Sequence, residues 1–254
     1  MAATPYPQSS QKHPTFAPGR CCVVCGQVLG DPVEVRKRDV PSASGEPTAA
    51  AVSLSCPNRW CQRGDRGFSV VFSVGTYRDG LRKAIIRYKY HRQVSLAGVL
   101  ADSLARHVEC NPTWFEDFDL VTSVPAYHGR RARRDWDPLG EILKSLSKRL
   151  GSCWEVVPDA VSKSVETPSM TGLSWADRQV VARGPLRRAL SVPDPVALRS
   201  ARVLVVDDVF TDGSTLREVA LALVGSGVAE VAGLVIARNE WAAAPARAGL
   251  TCGP

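Results

Sequence analysis

Between Phe68 and Ala237 the chain alternates between two apolar patterns. Phe68 to Tyr77 is apolar and β-branched around Ser69-Val70-Val71-Phe72-Ser73-Val74, which predicts a strand. Leu81 to Tyr90 then carries Leu81, Ala84, Ile85 and Tyr88 on one helical face, and Ser95 to Val108 repeats the period with Leu96, Val99, Leu100, Leu104 and Val108. Asp119 to Val124 predicts a short strand ending at Pro125, and Pro138 to Leu150 an amphipathic helix with Leu139, Ile142, Leu143, Leu146 and Leu150 on one side. The last third alternates most clearly. Ala201 to Val206 is an unbroken apolar run, as in a strand buried on both faces. Thr215 to Val224 is helical by period, Gly225-Ser226-Gly227 stops it, and Val228 to Ala237 is the next strand. Strand, helix and strand in this order make a βαβ unit with a right-handed crossover, and the whole predicts a mostly parallel α/β sheet flanked by helices.

The first part of the chain has another character. Residues 1–19 offer little to bury and are expected to be a disordered tail. Residues 20–67 form a cysteine-rich module with a flexible insertion at 36–53, charged at its start and then rich in small residues, Pro and Gly. Residues 68–254 make up the α/β domain. In the module, Cys22-Val23-Val24-Cys25-Gly26 has the spacing of a zinc knuckle, and Cys56 and Cys61 form a second, wider pair. Cys22, Cys25, Cys56 and Cys61 would make a closed, structural thiolate site for Zn²⁺, although Cys21 can stand in for Cys22. Cys110, Cys153 and Cys252 are scattered, and the four histidines make no pair at metal-ligand spacing.

Composition bounds the function. The chain has 254 residues, 44% hydrophobic and 22% charged, which suits a folded globular protein. No apolar run is long enough to span a membrane, and the N-terminal residues lack a secretory core, so a cytoplasmic location is expected. A net charge of +7 favours anionic partners without separating nucleotides from nucleic acids. The glycine and serine signatures of NTPases, dehydrogenases and α/β hydrolases are missing.

Candidate chemistry concentrates in Val203-Leu204-Val205-Val206-Asp207-Asp208-Val209-Phe210-Thr211-Asp212-Gly213-Ser214-Thr215-Leu216. A buried strand delivers two carboxylates, and a turn with Gly213 leads into a helix capped by Ser214 or Thr215. Free N–H groups and the positive dipole end favour a phosphate at such a helix start, with the hydroxyls of Thr211, Ser214 and Thr215 as further donors. Asp207 and Asp208 would accept hydrogen bonds from ribose hydroxyls, or hold water around Mg²⁺. His128-Gly129-Arg130-Arg131-Ala132-Arg133-Arg134 puts four guanidinium groups just past a strand, suited to pyrophosphate or a nucleic-acid backbone.

The segment 203–216 resembles the phosphoribosyl-pyrophosphate motif of type I phosphoribosyltransferases. Further resemblance comes from Tyr77-Arg78-Asp79-Gly80-Leu81-Arg82, Ile86-Arg87-Tyr88-Lys89-Tyr90, Val124-Pro125, Arg130, Arg134, and Thr167, Leu173, Asp177 and Arg178. With the four cysteines, these are similar to the competence-protein-F-like branch, whose bacterial members are linked to DNA uptake and transformation. The resemblance implies a type I phosphoribosyltransferase-like fold, Asp207 and Asp208 as the catalytic pair holding the ribose hydroxyls, phosphate and ribose bound by Thr211, Asp212, Gly213, Ser214 and Thr215, and pyrophosphate bound by Arg130 and Arg134. It implies Mg²⁺-bound phosphoribosyl pyrophosphate as ligand and transfer of phosphoribose to a nitrogen base. The chain departs from the pattern where Asp212 replaces a threonine, where Arg134-Asp135-Trp136-Asp137 replaces Arg-Gly-Phe-Asn, and at Met170 and Val181. A carboxylate in a phosphate turn repels the ligand unless it points outward or is offset by an arginine. These departures leave room for a second reading, a non-catalytic accessory or sensor protein that binds single-stranded DNA or a phosphorylated ligand.

Overall fold

The apolar runs pair into one parallel sheet, because strands covered by helices on both faces need no polar side. The computed structural model describes residues 21–27, 56–61, 63–130, 132, 135–151 and 154–240. The expected tail 1–19, the insertion 36–53 and the last residues of the expected α/β domain, 241–254, lie outside the described residues. In chain order the elements are β1 (Val71–Thr76), α1 (Asp79–His91), α2 (Leu96–Cys110), α3 (Pro112–Phe115), β2 (Leu120–Ser123), α4 (Pro138–Leu150), β3 (Glu155–Val156), β4 (Ser162–Lys163) and α5 (Trp175–Val181). A π-turn at Ala182–Leu186, α6 (Arg187–Ala189), β5 (Leu190–Ser191), β6 (Arg202–Phe210), α7 (Ser214–Gly225) and β7 (Glu230–Arg238) complete them. The sheet runs β1-β7-β6-β2-β3 with every neighbouring pair parallel, and β4 and β5 form a separate antiparallel ribbon.

Successive residues of β6 serve opposite faces. Leu204 and Val206 pack with Leu100 and Leu104 of α2 and Ile142, Leu143 and Leu146 of α4. Val203 and Val205 pack with Leu216, Val219, Ala220 and Leu223 of α7. Helix α7 lies close to the sheet because Gly233 on β7 has no side chain: a Cβ there would come within 2.7 Å of Leu216 Cδ2. Local signals start the helices. Asp137 accepts a hydrogen bond from Leu139 N at the head of α4, with Pro138 in its first turn, and Ser174 accepts one from Asp177 N at the head of α5.

The cysteine segment shares this core. Cys22, Val24, Cys25 and Cys56 are buried with Phe68, Val71, Phe210 and Leu216, and Val71 N donates to Val24 O at 2.7 Å. Trp60 is 1% exposed, with the guanidinium of Arg217 4.4 Å from its ring centre and those of Arg63 and Arg183 at 5.2 and 5.4 Å. No helix among the described residues is long and apolar enough to cross a membrane.

Candidate functional site

Strands β2 and β6 are neighbours, with Ser123 opposite Val206. The arginine loop after β2 and the turn after β6 therefore leave the same end of the sheet side by side, where α/β sheets bind ligands. The acid pair lies inside β6, which continues past Val206 to Phe210 because Asp207, Val209 and Phe210 stay in register with β7. Asp208 is 7% exposed and forms an ion pair with Lys89 of α1, while Asp207 is half-buried. Burial works against a charge on Asp208, but Lys89 outweighs it and holds the carboxyl below its usual range. Asp207 is pushed well above that range, by burial first and by the charge of Asp208 second. Lys89 itself is raised: burial opposes its charge, and Asp208 more than compensates. The pair thus holds one firm negative charge, one reluctant one and a cation. Lys89 has no role from sequence reasoning alone. The available signal is its position, four residues after the buried Ile85 and next to the buried Tyr88.

The turn differs from expectation in its cap. Gly213, at φ 87°, occupies the N-cap position of α7, and Ser214 is already its first helical residue, so neither Ser214 nor Thr215 caps the helix by position. The cap bond comes from Asp212, whose carboxylate accepts from Ser214 N at 3.1 Å and from Ser214 Oγ at 2.7 Å. Asp212 is 4% exposed, with Arg178 Nη1 at 4.0 Å. Gln179 Nε2 donates to Ser214 Oγ at 2.5 Å, Thr215 Oγ1 contacts Met170 Sδ at 3.8 Å, and Asn58 Nδ2 donates to the Asp212 carbonyl at 3.1 Å. Of the other residues that carried the resemblance, Thr167 is buried and Asp177 serves the cap of α5. The left-handed backbone at Gly213 and the Phe210 ring 2.8 Å from a Cβ built there leave no room for a side chain. Gly213→Ala is expected to destabilise the fold by about 1–3 kcal/mol, read by urea denaturation.

The arginine loop is described only in part. Arg130 is exposed at its head, while Arg131, Arg133 and Arg134 lie outside the described residues. Beside it a cleft of about 220 Å³ is lined by Ser123, Tyr127, His128, Asp137 and Lys163, among others. Tyr88 ties α1 to the far end of this loop through a 2.7 Å hydrogen bond from its hydroxyl to Pro138 O and an edge-on contact with Trp136.

The four predicted cysteines do come together. Ligand atoms of Cys22, Cys25, Cys56 and Cys61 all lie within 4.8 Å of one another, and Cys25 Sγ is 3.7 Å from Cys56 Sγ. Tetrahedral Zn²⁺, with Zn–S bonds near 2.3 Å, sets its sulfurs about 3.8 Å apart. Hydrogen bonds from the other three thiols pull Cys22 down, and contacts with its neighbours push Cys61 up. The four thiols thus split, Cys22 and Cys56 lowered and Cys25 and Cys61 raised, and it is their mutual distances that suit a cation, with Cys22 rather than Cys21 as the member.

No family model matches the chain. It is 27% identical over 185 residues to DNA utilization protein YhgH of Salmonella typhimurium, covering 72% of this chain and 77% of that one. Competence protein F of Haemophilus influenzae is 27% identical over 182 residues, 67% of this chain and 73% of that one. DNA utilization protein YhgH of Escherichia coli is 28% identical over 161 residues, 63% and 67% of the two chains. Among solved structures, a hypoxanthine phosphoribosyltransferase from Staphylococcus aureus aligns with 56% of this chain and 62% of its own, at TM-score 0.33 and 12% identity. A purine phosphoribosyltransferase from Pyrococcus horikoshii aligns with 63% and 95%, at TM-score 0.29 and 17% identity. By sequence, over about two thirds of its length, the chain is a relative of competence protein F and the DNA utilization protein YhgH.

Proposed function

We propose that the chain is a phosphoribosyltransferase-like protein that binds phosphoribosyl pyrophosphate with Mg²⁺ and works in the uptake or use of DNA. The observation that carries this reading is that Asp207 and Asp208, near the end of β6, lie on the strand next to β2, whose end leads into the loop from Val124 to Arg130 at the same end of a parallel sheet. In this reading the ribose hydroxyls bond to Asp207 and Asp208, the 5′-phosphate lies against the turn from Thr211 to Thr215, and Arg130 and Arg134 meet the pyrophosphate. Because Lys89 already engages Asp208, Mg²⁺ enters with the pyrophosphate rather than on the acid pair. Transfer to a nitrogen base would need positioning and charge stabilisation of the departing pyrophosphate, with no protein nucleophile. The four cysteines would hold a structural Zn²⁺, as their mutual distances support. A cytoplasmic location fits this work.

The test is calorimetric titration of the zinc-loaded protein with phosphoribosyl pyrophosphate and Mg²⁺, beside an Asp207→Ala, Asp208→Ala double variant. Saturable binding that the double variant loses is the expected result. A folded wild type that ignores millimolar ligand would end the reading.

A second reading, a non-catalytic protein that handles single-stranded DNA, is favoured by Asp212 in the turn and by helix α1. That helix exposes Arg82, Lys83 and Arg87 alongside Tyr90, which is 56% exposed and can stack with a base. DNA held in this way would be lost steeply as salt rises.

A further inference from the structure

We propose that Asp212 is the specificity-determining residue of the α7 turn: its carboxylate occupies the position of a ligand phosphate, and a phosphomonoester enters only when that side chain turns away. This rests on the reading that the turn is a phosphate subsite. The start of a helix such as α7 attracts an anion because its first N–H groups have no partner within the helix. Here an anion is built in. Asp212 takes both the N–H and the hydroxyl of Ser214, two of the donors a phosphate would use, at 3.1 and 2.7 Å. It does so while 4% exposed, so it is part of the folded interior and not a surface charge passing by.

Two features set this arrangement apart from an ordinary capped helix. Gln179, 8% exposed, donates its amide N–H to Ser214 Oγ, yet its own carbonyl oxygen is buried without a hydrogen-bond partner among the described residues. An acceptor left unsatisfied beside a helix start is what a ligand hydroxyl would complete. Arg178, on the same short helix, stands 4.0 Å from the Asp212 carboxylate, too far for a hydrogen bond but close enough to receive it. The main chain need not move, since Asn58 fixes the Asp212 carbonyl at 3.1 Å. A rotation of one side chain would trade Ser214 for Arg178 and free both donors. Until it does, a phosphate dianion faces a carboxylate across a few ångströms, and ligands lacking a terminal phosphate have the advantage.

The experiment compares the zinc-loaded wild type with Asp212→Asn and Asp212→Thr by titration calorimetry. The probes are ribose 5-phosphate, phosphoribosyl pyrophosphate with Mg²⁺, and inorganic pyrophosphate with Mg²⁺. Asp212→Asn keeps the shape and an acceptor for Ser214, so it isolates the charge, and thermal melts establish that each variant is folded. Both variants are expected to bind the two 5′-phosphates roughly tenfold or more tightly than wild type does, the scale of one charge-assisted hydrogen bond. Pyrophosphate, which has no group for the turn, should change by less than about twofold on the same scale. Equal affinities of wild type and variants for phosphoribosyl pyrophosphate would overturn the role of Asp212 and leave the ligand reading intact. Binding by the variants alone would support the role of Asp212 and remove the ligand reading for wild type. If no folded protein binds any 5′-phosphate, both fall.

Discussion

If the four cysteines hold zinc as proposed, treating the protein with a strong chelator, or replacing Cys25 by Ser, is expected to lower the thermal midpoint of the whole protein by about 10 °C or more. Structural zinc contributes about 10–16 kcal/mol in isolated fingers, of the same order as the total stability of a domain. Here the ligands are not on a detached appendage. Cys22, Cys25 and Cys56 are buried among Phe68, Val71, Phe210 and Leu216, which also seat β1, β6 and α7. Losing even about 4 kcal/mol of this would shift the midpoint by roughly 8–16 °C in a protein of this size. The loss should reach the turn before α7 as well, because the segment between Cys56 and Cys61 carries Asn58 to the Asp212 carbonyl and Trp60 to Arg217 on α7. Scanning calorimetry with and without chelator, followed by addition of Zn²⁺, checks it. A midpoint that is unmoved by chelation, with no zinc found by elemental analysis, would remove the metal from the account.

Lys89→Met should cost about 3 kcal/mol and change how stability depends on pH. Breaking a buried ion pair costs about 3–5 kcal/mol, and the lower end applies because the side chain of Lys89 keeps 22% of its exposure. The sign of the pH effect follows from linkage. In the wild type, Asp208 lies below its ordinary range and contributes stability present at neutral pH and lost as pH falls through its folded value. Asp207 lies well above that range and contributes the opposite, stability lost as pH rises through its folded value. The two partly cancel. Without the ammonium, Asp208 faces burial and Asp207 uncompensated, so both carboxyls would be raised in the folded state and both contributions would fall with rising pH. Urea denaturation at about pH 5 and pH 8 should therefore show a larger deficit at the higher value. An equal deficit at both would mean that Lys89 acts by packing alone. In phosphoribosyl pyrophosphate titrations the same variant should bind more weakly, since Asp208 loses the partner that holds its position.

Much of this protein is legible along the chain because its signals are local. Asp207, Asp208, Gly213, Ser214 and Thr215 are contiguous, and a strand entering a glycine turn and a helix has few ways to fold. The helices α1, α2, α4 and α7 carry their apolar faces at a regular period, and the knuckle pair Cys22 and Cys25 together with the wider pair Cys56 and Cys61 marks a candidate four-thiol set. Contiguity fails between β3 and β6: β4, β5, α5, the π-turn and α6 are each 2–7 residues long, too short to show a period. The same limit hid the partners of the acid pair and the turn. Lys89 reaches Asp208 across more than a hundred residues, and Asn58 and Gln179 meet the turn from the cysteine segment and from α5. The repulsion expected of Asp212 was legible as a charge in the wrong place. Its resolution was not, because beside the local bonds to Ser214 the inward-turned carboxylate has Arg178 near it, which only packing brings there. Hydrophobic period and turn chemistry are written in neighbouring residues, whereas the compensation of a buried charge depends on which distant groups the folded core brings within a few ångströms.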